Sequence, residues 1–203
     1  MDRIETALTE APAVPDEAWR RVRGEFADRA GEQGLIDVAY EMHDSPYGPL
    51  LVGATDEGLV RVGLSAETED EILADLSRRI SPRILRTERG PITAARRQLD
   101  QYFEGERREF ELELDWRLVK GFRREVLVAT DAIPYGQTRS YREMAVEAGS
   151  PNAVRAAGTA LATNPLPIVV PCHRVLRTDG KVGNYLGGTA MKEALLALEG
   201  RDA

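Results

Sequence analysis

Pro165 and Pro167 stand two residues apart in Asn164-Pro165-Leu166-Pro167. Each proline fixes φ, lacks an amide donor and pushes the residue before it out of the α region, so the link is rigid and cannot be helical. A helix arriving from the N-terminal side must stop there. The link delivers the chain to the apolar run Ile168-Val169-Val170 and then to Pro171-Cys172-His173-Arg174-Val175. Cys172 is the only cysteine in 203 residues, which excludes an internal disulfide and a multi-cysteine zinc site. Its remaining roles are nucleophile, redox target or small buried hydrophobe. An apolar run ending in cysteine is most often a core strand; the adjacent histidine and arginine favour the nucleophile.

The length is enough for one large domain or two small ones. No apolar run approaches the roughly 18 residues that a membrane span requires. The N-terminus Met1-Asp2-Arg3-Ile4-Glu5 lacks the basic-then-hydrophobic pattern of a signal peptide. With an unpaired thiol, the expected location is a reducing cytoplasm, with no membrane partner. The net charge of −7 is unevenly divided: between Ala132 and Glu199 seven Lys/Arg meet five Asp/Glu, a net of +2, leaving −9 elsewhere. A mildly basic C-terminal segment permits local phosphate contact, although scattered charge is usually a solvated surface.

The patterning predicts three parts. Residues 1–34 read as a tail followed by an amphipathic helix from Asp16 to Arg29, on which Trp19, Val22 and Phe26 recur at helical spacing. Residues 35–116 read as a small α/β domain. Leu50-Leu51-Val52 and Leu59-Val60-Arg61-Val62 flank a turn-rich stretch and predict an antiparallel hairpin; Glu69–Ile80 and Ile92–Phe103 have helical periodicity. Residues 117–203 are mainly helical. A helix from Phe122 ends before Ile133-Pro134-Tyr135-Gly136, Ser140 and Glu143 form a capping box for the next, and Asn152 is the expected cap of one ending at Leu161. Two short helices with a Gly-containing turn between them spell helix-turn-helix, or equally an ordinary helical hairpin in a core. Gly180, Gly183, Gly187 and Gly188 bracket Tyr185 in a loop that can approach a ligand closely, and Thr189–Glu199 forms the closing helix.

If residues 168–173 are extended, Cys172 and His173 point to opposite sides, so proton transfer between them needs a bridging water or a local kink. The histidine also needs an orienting acceptor, and Glu199 is a candidate.

In order and spacing, Ile133-Pro134-Tyr135-Gly136, Ser140-Tyr141, Arg155-Ala156-Ala157-Gly158, Asn164-Pro165, Pro171-Cys172-His173-Arg174-Val175, Gly183-Asn184-Tyr185 and Gly187-Gly188 resemble the O6-alkylguanine-DNA alkyltransferases. The likeness runs from about Phe122 to Glu199, and Leu35–Trp116 resembles that family's N-terminal domain. The resemblance implies an α+β fold: a small N-terminal α/β domain with an antiparallel sheet, then a mainly helical domain holding the helix-turn-helix and the active cysteine. It implies direct, stoichiometric transfer of an alkyl group from O6 of guanine in double-stranded DNA to Cys172, with O4-alkylthymine a further substrate left open. His173, through a water, and Glu199 would complete a proton relay, and Asn164 would brace the segment. Arg155 would fill the space of the flipped nucleotide, and Tyr141 would press on the neighbouring phosphate. Tyr185 would donate to the purine ring. The backbone carbonyls of Cys172 and Val175, and amides near Val182 and Leu186, would read the purine edge. No cofactor and no metal are expected, since the chain has only His43 and His173 besides its one cysteine, and a monomer is expected.

Two departures bear on substrate. Leu186 stands where some relatives carry a small polar residue, which narrows access for large O6 adducts. Ala162 and Thr163 lack a basic side chain that some relatives place beside DNA, which predicts modest, salt-sensitive affinity. The rival readings are a cysteine hydrolase or amidotransferase, which would need an oxyanion hole, a helix-turn-helix regulator, and a non-catalytic lesion-binding adaptor, whose relatives lack the acceptor cysteine.

Overall fold

In β2 (Leu50–Thr55) every residue is buried, a pattern that arises when a strand has both faces covered. Successive side chains alternate: Leu50, Val52 and Ala54 enter one cluster, Leu51 another. The structure, a computed structural model, describes residues 16–88 and 90–200. β1 (Val38–His43), β2, β3 (Gly58–Gly63) and β4 (Ile84–Arg86) form a sheet of order β3-β2-β1-β4. The β1-β2 and β2-β3 pairs are antiparallel, β4 is parallel to β1, and the β2-β3 register shifts at Gly53/Ala54. The β2-β3 hairpin is the one its apolar runs predict.

The second cluster joins Val38, Tyr40, Leu51 and Val60 of the sheet to Ile72 and Leu76 of α2 (Glu69–Arg79). Thr68 caps α2 in a complete capping box with Glu71. The first cluster joins the other face to Ile92, Ala95, Leu99 and Tyr102 of α3 (Pro91–Phe103) and continues into residues of the C-terminal half such as Val126, Met144, Ala157 and Cys172. No break in packing follows Trp116: residues from Asp37 onward form one compact unit.

The C-terminal half contains α4 (Phe122–Asp131), α5 (Tyr141–Glu147), α6 (Val154–Ala162) and α7 (Gly188–Leu198). Ser140 accepts from the Glu143 amide while Glu143 returns to the Ser140 amide, the capping box its sequence predicts. Asn152 is not the cap of α6. Ala153 holds that position with no side-chain cap, and the 149–153 turn uses backbone bonds instead, including Ser150 N to Ala145 O at 2.9 Å. A short parallel pair, β5 (Arg139–Ser140) with β6 (Val175–Leu176), ties the entry of α5 to the chain just beyond Cys172.

The N-terminal helix α1 spans Asp16–Glu32 and belongs to a separate unit that ends at Ile36. Its predicted apolar stripe is corrected: Val22 and Phe26 are exposed, while Ala27 and Ala30 are buried. The side chain of Trp19 and the expected tail lie outside the described residues. No helix among the described residues is long and apolar enough to cross a membrane.

Gly58 has φ +138°, and a Cβ there would collide with the carbonyl of Glu113. That close approach lets Leu59 donate to Glu113 O at 2.8 Å and accept from Asp115 N at 2.9 Å, fastening residues 113–115 along β3. Gly58→Ala is expected to cost about 3 kcal/mol through overpacking and forced backbone shift, read as a lowered thermal midpoint.

Candidate active site

The proline link is folded back by one side chain. Asn164, buried, accepts from Leu166 N at 2.9 Å and donates through Nδ2 to Val170 O at 2.9 Å and to Cys172 Sγ at 3.2 Å. Between those anchors Ile168 has φ +75°, a conformation costly for a β-branched residue. The expected extended path of residues 168–173 is also corrected. Cys172–Arg174 is a turn of 3-10 helix, because Arg174 N donates to Pro171 O and Val175 N to Cys172 O. This is the kinked alternative. Both Cys172 and His173 are buried there.

Burial pushes the Cys172 thiol up, and the Asn164 hydrogen bond and the nearby Lys192 pull it down. His173 is fully buried, and its Nε2 lies 2.9 Å from Glu199 Oε1. Burial lowers its pKa more than Glu199 raises it, so the imidazole is neutral and Nε2–H donates to the carboxylate. That leaves Nδ1 as the acceptor nitrogen, and it has no protein partner among the described residues.

Glu199 caps the C-terminus of α7, where a carboxylate faces the negative end of the helix dipole. Burial would raise its pKa, but hydrogen bonds from His173 and Arg174 outweigh this and hold it at about 2. Arg174 donates to it from Nε at 2.9 Å and from Nη2 at 2.9 Å, and Gly136 N adds a bond at 3.1 Å. Tyr102 of α3 donates its hydroxyl to Glu199 Oε1 at 2.7 Å. Sequence reasoning missed Tyr102 and the Arg174 contact. Tyr102 reads as one more apolar position in the row Ile92, Ala95, Leu99, and its polar partner lies 97 residues away.

Lys192 is a third missed group. It is buried on α7 and donates Nζ to Val175 O, and burial brings its pKa down to about 8. A lysine on the buried face of an otherwise apolar helix is the signal that could have found it. The Val175 carbonyl, expected to meet substrate, already accepts this amine and keeps one lone pair. The Cys172 carbonyl accepts from Val175 N.

Beyond the thiol lies an open groove of about 940 Å³ lined by Tyr141, Arg155, Gly158, Arg177, Val182, Gly183 and Asn184. Exposed Arg155 leads from α6, the second helix of the pair; Arg177 had no predicted role. Gly183 lets the loop close on Tyr141, whose hydroxyl would lie 2.5 Å from a Cβ there. Burial raises Tyr141 and the charge of Cys172 adds to the shift, so its hydroxyl lies within electrostatic reach of the sulfur. The buried Tyr185 hydroxyl has no protein partner among the described residues, is pushed far up by burial and also feels Cys172. Leu186 instead lines a separate cavity of about 340 Å³ with Asn164, Pro165 and Arg123. Thus Cys172, His173, Glu199, Asn164 and Tyr185 come together, Tyr141, Arg155 and Val182 share the groove, and the Leu186 side chain lies to one side.

Two family models match this chain: the DNA binding domain of 6-O-methylguanine DNA methyltransferase over residues 121–201, and its ribonuclease-like domain over residues 38–116. The methylated-DNA–protein-cysteine methyltransferase of Mycolicibacterium paratuberculosis is 41% identical over 164 residues, 81% of this chain and 93% of that protein. The chain belongs to the methylated-DNA–protein-cysteine methyltransferase family. It is an enzyme of that class. The relative from Methanosarcina barkeri is 39% identical over 79% of this chain and 96% of its own length. The crystal structure of Mycobacterium tuberculosis OGT in complex with DNA superposes with a TM-score of 0.66 at 39% identity, covering 81% of this chain and 96% of that one.

Proposed function

We propose that this protein repairs DNA by moving the alkyl group of O6-alkylguanine directly and irreversibly to Cys172. The observation that carries the reading is the pair of buried contacts made by adjacent residues, Asn164 to Cys172 and His173 to Glu199, with an open groove lined by Arg155 and by Tyr141, which feels the charge of Cys172. The family name requires an acceptor cysteine, and the sequence has one.

The thiol proton passes through a water to His173 Nδ1, the free acceptor, and Glu199 stabilises the imidazolium that forms. The sulfur attacks the alkyl carbon, the S–C bond forms and the C–O6 bond breaks. The electron pair stays on the guanine, which takes a proton from a tyrosine hydroxyl, and the tyrosine recovers that proton from the His173 imidazolium through solvent. Tyr185, with its unpartnered buried hydroxyl, is the donor best placed for this. Nothing regenerates the thiol from the thioether, so each molecule acts once.

The lesion must leave the duplex to reach a buried thiol, which costs a few kcal/mol for unstacking. Arg155, exposed on α6 at the groove, takes the place of the extruded base. Tyr141 lines the groove and also approaches the sulfur, so it meets the flipped nucleotide as well as its phosphate. Residues 117–203 supply nearly the whole site, residues 35–116 buttress it, and a single chain holds every named group, consistent with a cytoplasmic monomer. The bound, braced thiol favours transfer over a purely lesion-binding or regulatory role.

The test is intact mass after mixing with a duplex containing one O6-methylguanine. One added methyl, mapped to Cys172 and absent from Cys172→Ser, is the expected result. An unchanged mass with retained lesion binding would leave a damage-recognition protein.

A further inference from the structure

Glu199 Oε1 is shared by donors from three residues: His173 Nε2 at 2.9 Å, Arg174 through Nη2 at 2.9 Å and Nε at 3.2 Å, and the Tyr102 hydroxyl at 2.7 Å. The first two come from the 3-10 turn that carries the thiol. Tyr102 comes from α3, in the stretch matching the N-terminal family model. Its hydroxyl also lies 3.4 Å from His173 Nε2, so it touches both members of the pair. We propose that Tyr102 is a positioning residue for alkyl transfer, holding His173 in the Nε2–H tautomer and moderating the pull of Glu199 on the imidazole. The inference rests on the reading of His173 as the base that receives the Cys172 proton.

Burial and the adjacent carboxylate push the Tyr102 phenol far up, so it is a permanent neutral donor. Donated to Oε1, its proton spreads the carboxylate charge and weakens the attraction of Glu199 for an imidazolium. Its oxygen also stands against the Nε2 edge of the ring, where rotation of the imidazole would bring it. The tautomer is thereby fixed with Nδ1 free for the thiol proton, the general role of an orienting group behind a catalytic histidine. The consequence is that residues 35–116 act in the chemistry through a side chain, in addition to packing.

The charged and titratable groups around the imidazole are Glu199 and Lys192 with α7, Arg174 and Cys172 on the 3-10 turn, Tyr102 on α3 and Tyr185 in the loop. Arg174 and Lys192 oppose its protonation. Glu199 alone draws a proton onto it, and Tyr102 acts on Glu199.

The full chain has two histidines, so their ring nitrogens can be followed separately by ¹⁵N NMR. In Tyr102→Phe the His173 titration midpoint is expected to rise by about half a pH unit, as the carboxylate loses a donor. The acid limb of the methyl-transfer rate should move the same way, and the rate at pH 8 should fall roughly ten-fold from loss of orientation. Site-specific 3-fluorotyrosine at 102, a stronger donor, should lower the midpoint; it carries the test if the phenylalanine variant does not fold. An unmoved midpoint and tautomer in the folded variant would reduce Tyr102 to a packing residue and overturn the proposal. Absence of methyl transfer by the wild type, with the His173 midpoint still responding to Tyr102, would instead fault the function proposed above.

Discussion

Glu199→Gln is expected to slow methyl transfer to Cys172 by about 10²–10³-fold, the range lost when a general base is misoriented, while lesion-containing DNA still binds. The carboxylate accepts from His173, and an amide in its place can present an N–H to the same nitrogen. The imidazole would then carry its proton on Nδ1, where it cannot accept the thiol proton. The substitution also strips the countercharge from buried Arg174, at a cost of about 3 kcal/mol. Single-turnover kinetics and urea unfolding read the two effects separately. The sign of the pH dependence follows from the direction of the shift. Glu199 is held at about 2 in the fold against an ordinary 4.5, so its contribution is complete above pH 4.5 and is lost as pH falls toward 2. The stability gap between wild type and variant should be flat near neutrality and close through that window. A transfer rate within three-fold of wild type would remove Glu199 from the relay.

What the sequence made legible was local. Ser140 with Glu143, the β2-β3 hairpin and the Cys172-His173 pair are encoded in neighbours a few residues apart, where hydrogen-bond reach and side-chain periodicity decide the outcome. Alternation misled at Cys172 and His173 because Asn164, eight residues earlier, bends the strand into a 3-10 turn. The cap of α6 misled because the 149–153 turn satisfies backbone groups with each other, so Asn152 has nothing to supply. The second layer of the site was illegible for a different reason. Tyr102 and Lys192 each look like one more position on a helix, and their polar ends acquire meaning only when distant segments meet. The order of motifs, read as a family resemblance, supplied the role of Arg155, which no local pattern could have assigned, and singled out Glu199 from the acceptors that His173 could have used.

Asn164→Ala should be the most damaging neutral substitution at the site. The side chain satisfies the buried Leu166 N and gives Val170 O a second donor beside Cys172 N, so the alanine leaves Leu166 N unpaired at a cost of about 1–3 kcal/mol. It also holds closed a segment in which Ile168 has positive φ, so that residue is free to relax once the clamp is gone. That relaxation offsets part of the cost, and a net loss of about 2 kcal/mol is expected. The thiol would rise as well, because Asn164 Nδ2 is its hydrogen-bond donor and burial then acts with less opposition. The two effects can be parted with Asn164→Asp. A carboxylate keeps an acceptor for Leu166 N, but it buries a charge that faces Val170 O and stands 3.2 Å from the sulfur in place of a donor, so stability falls at least as far as in Asn164→Ala. The pH dependence of methyl transfer separates the effects: the rate should climb to a higher pH in Asn164→Asp than in Asn164→Ala, since the thiolate fraction limits it. If the two variants shared one pH dependence, Asn164 would act on the fold of the segment alone, and the thiol would owe its reactivity to other neighbours.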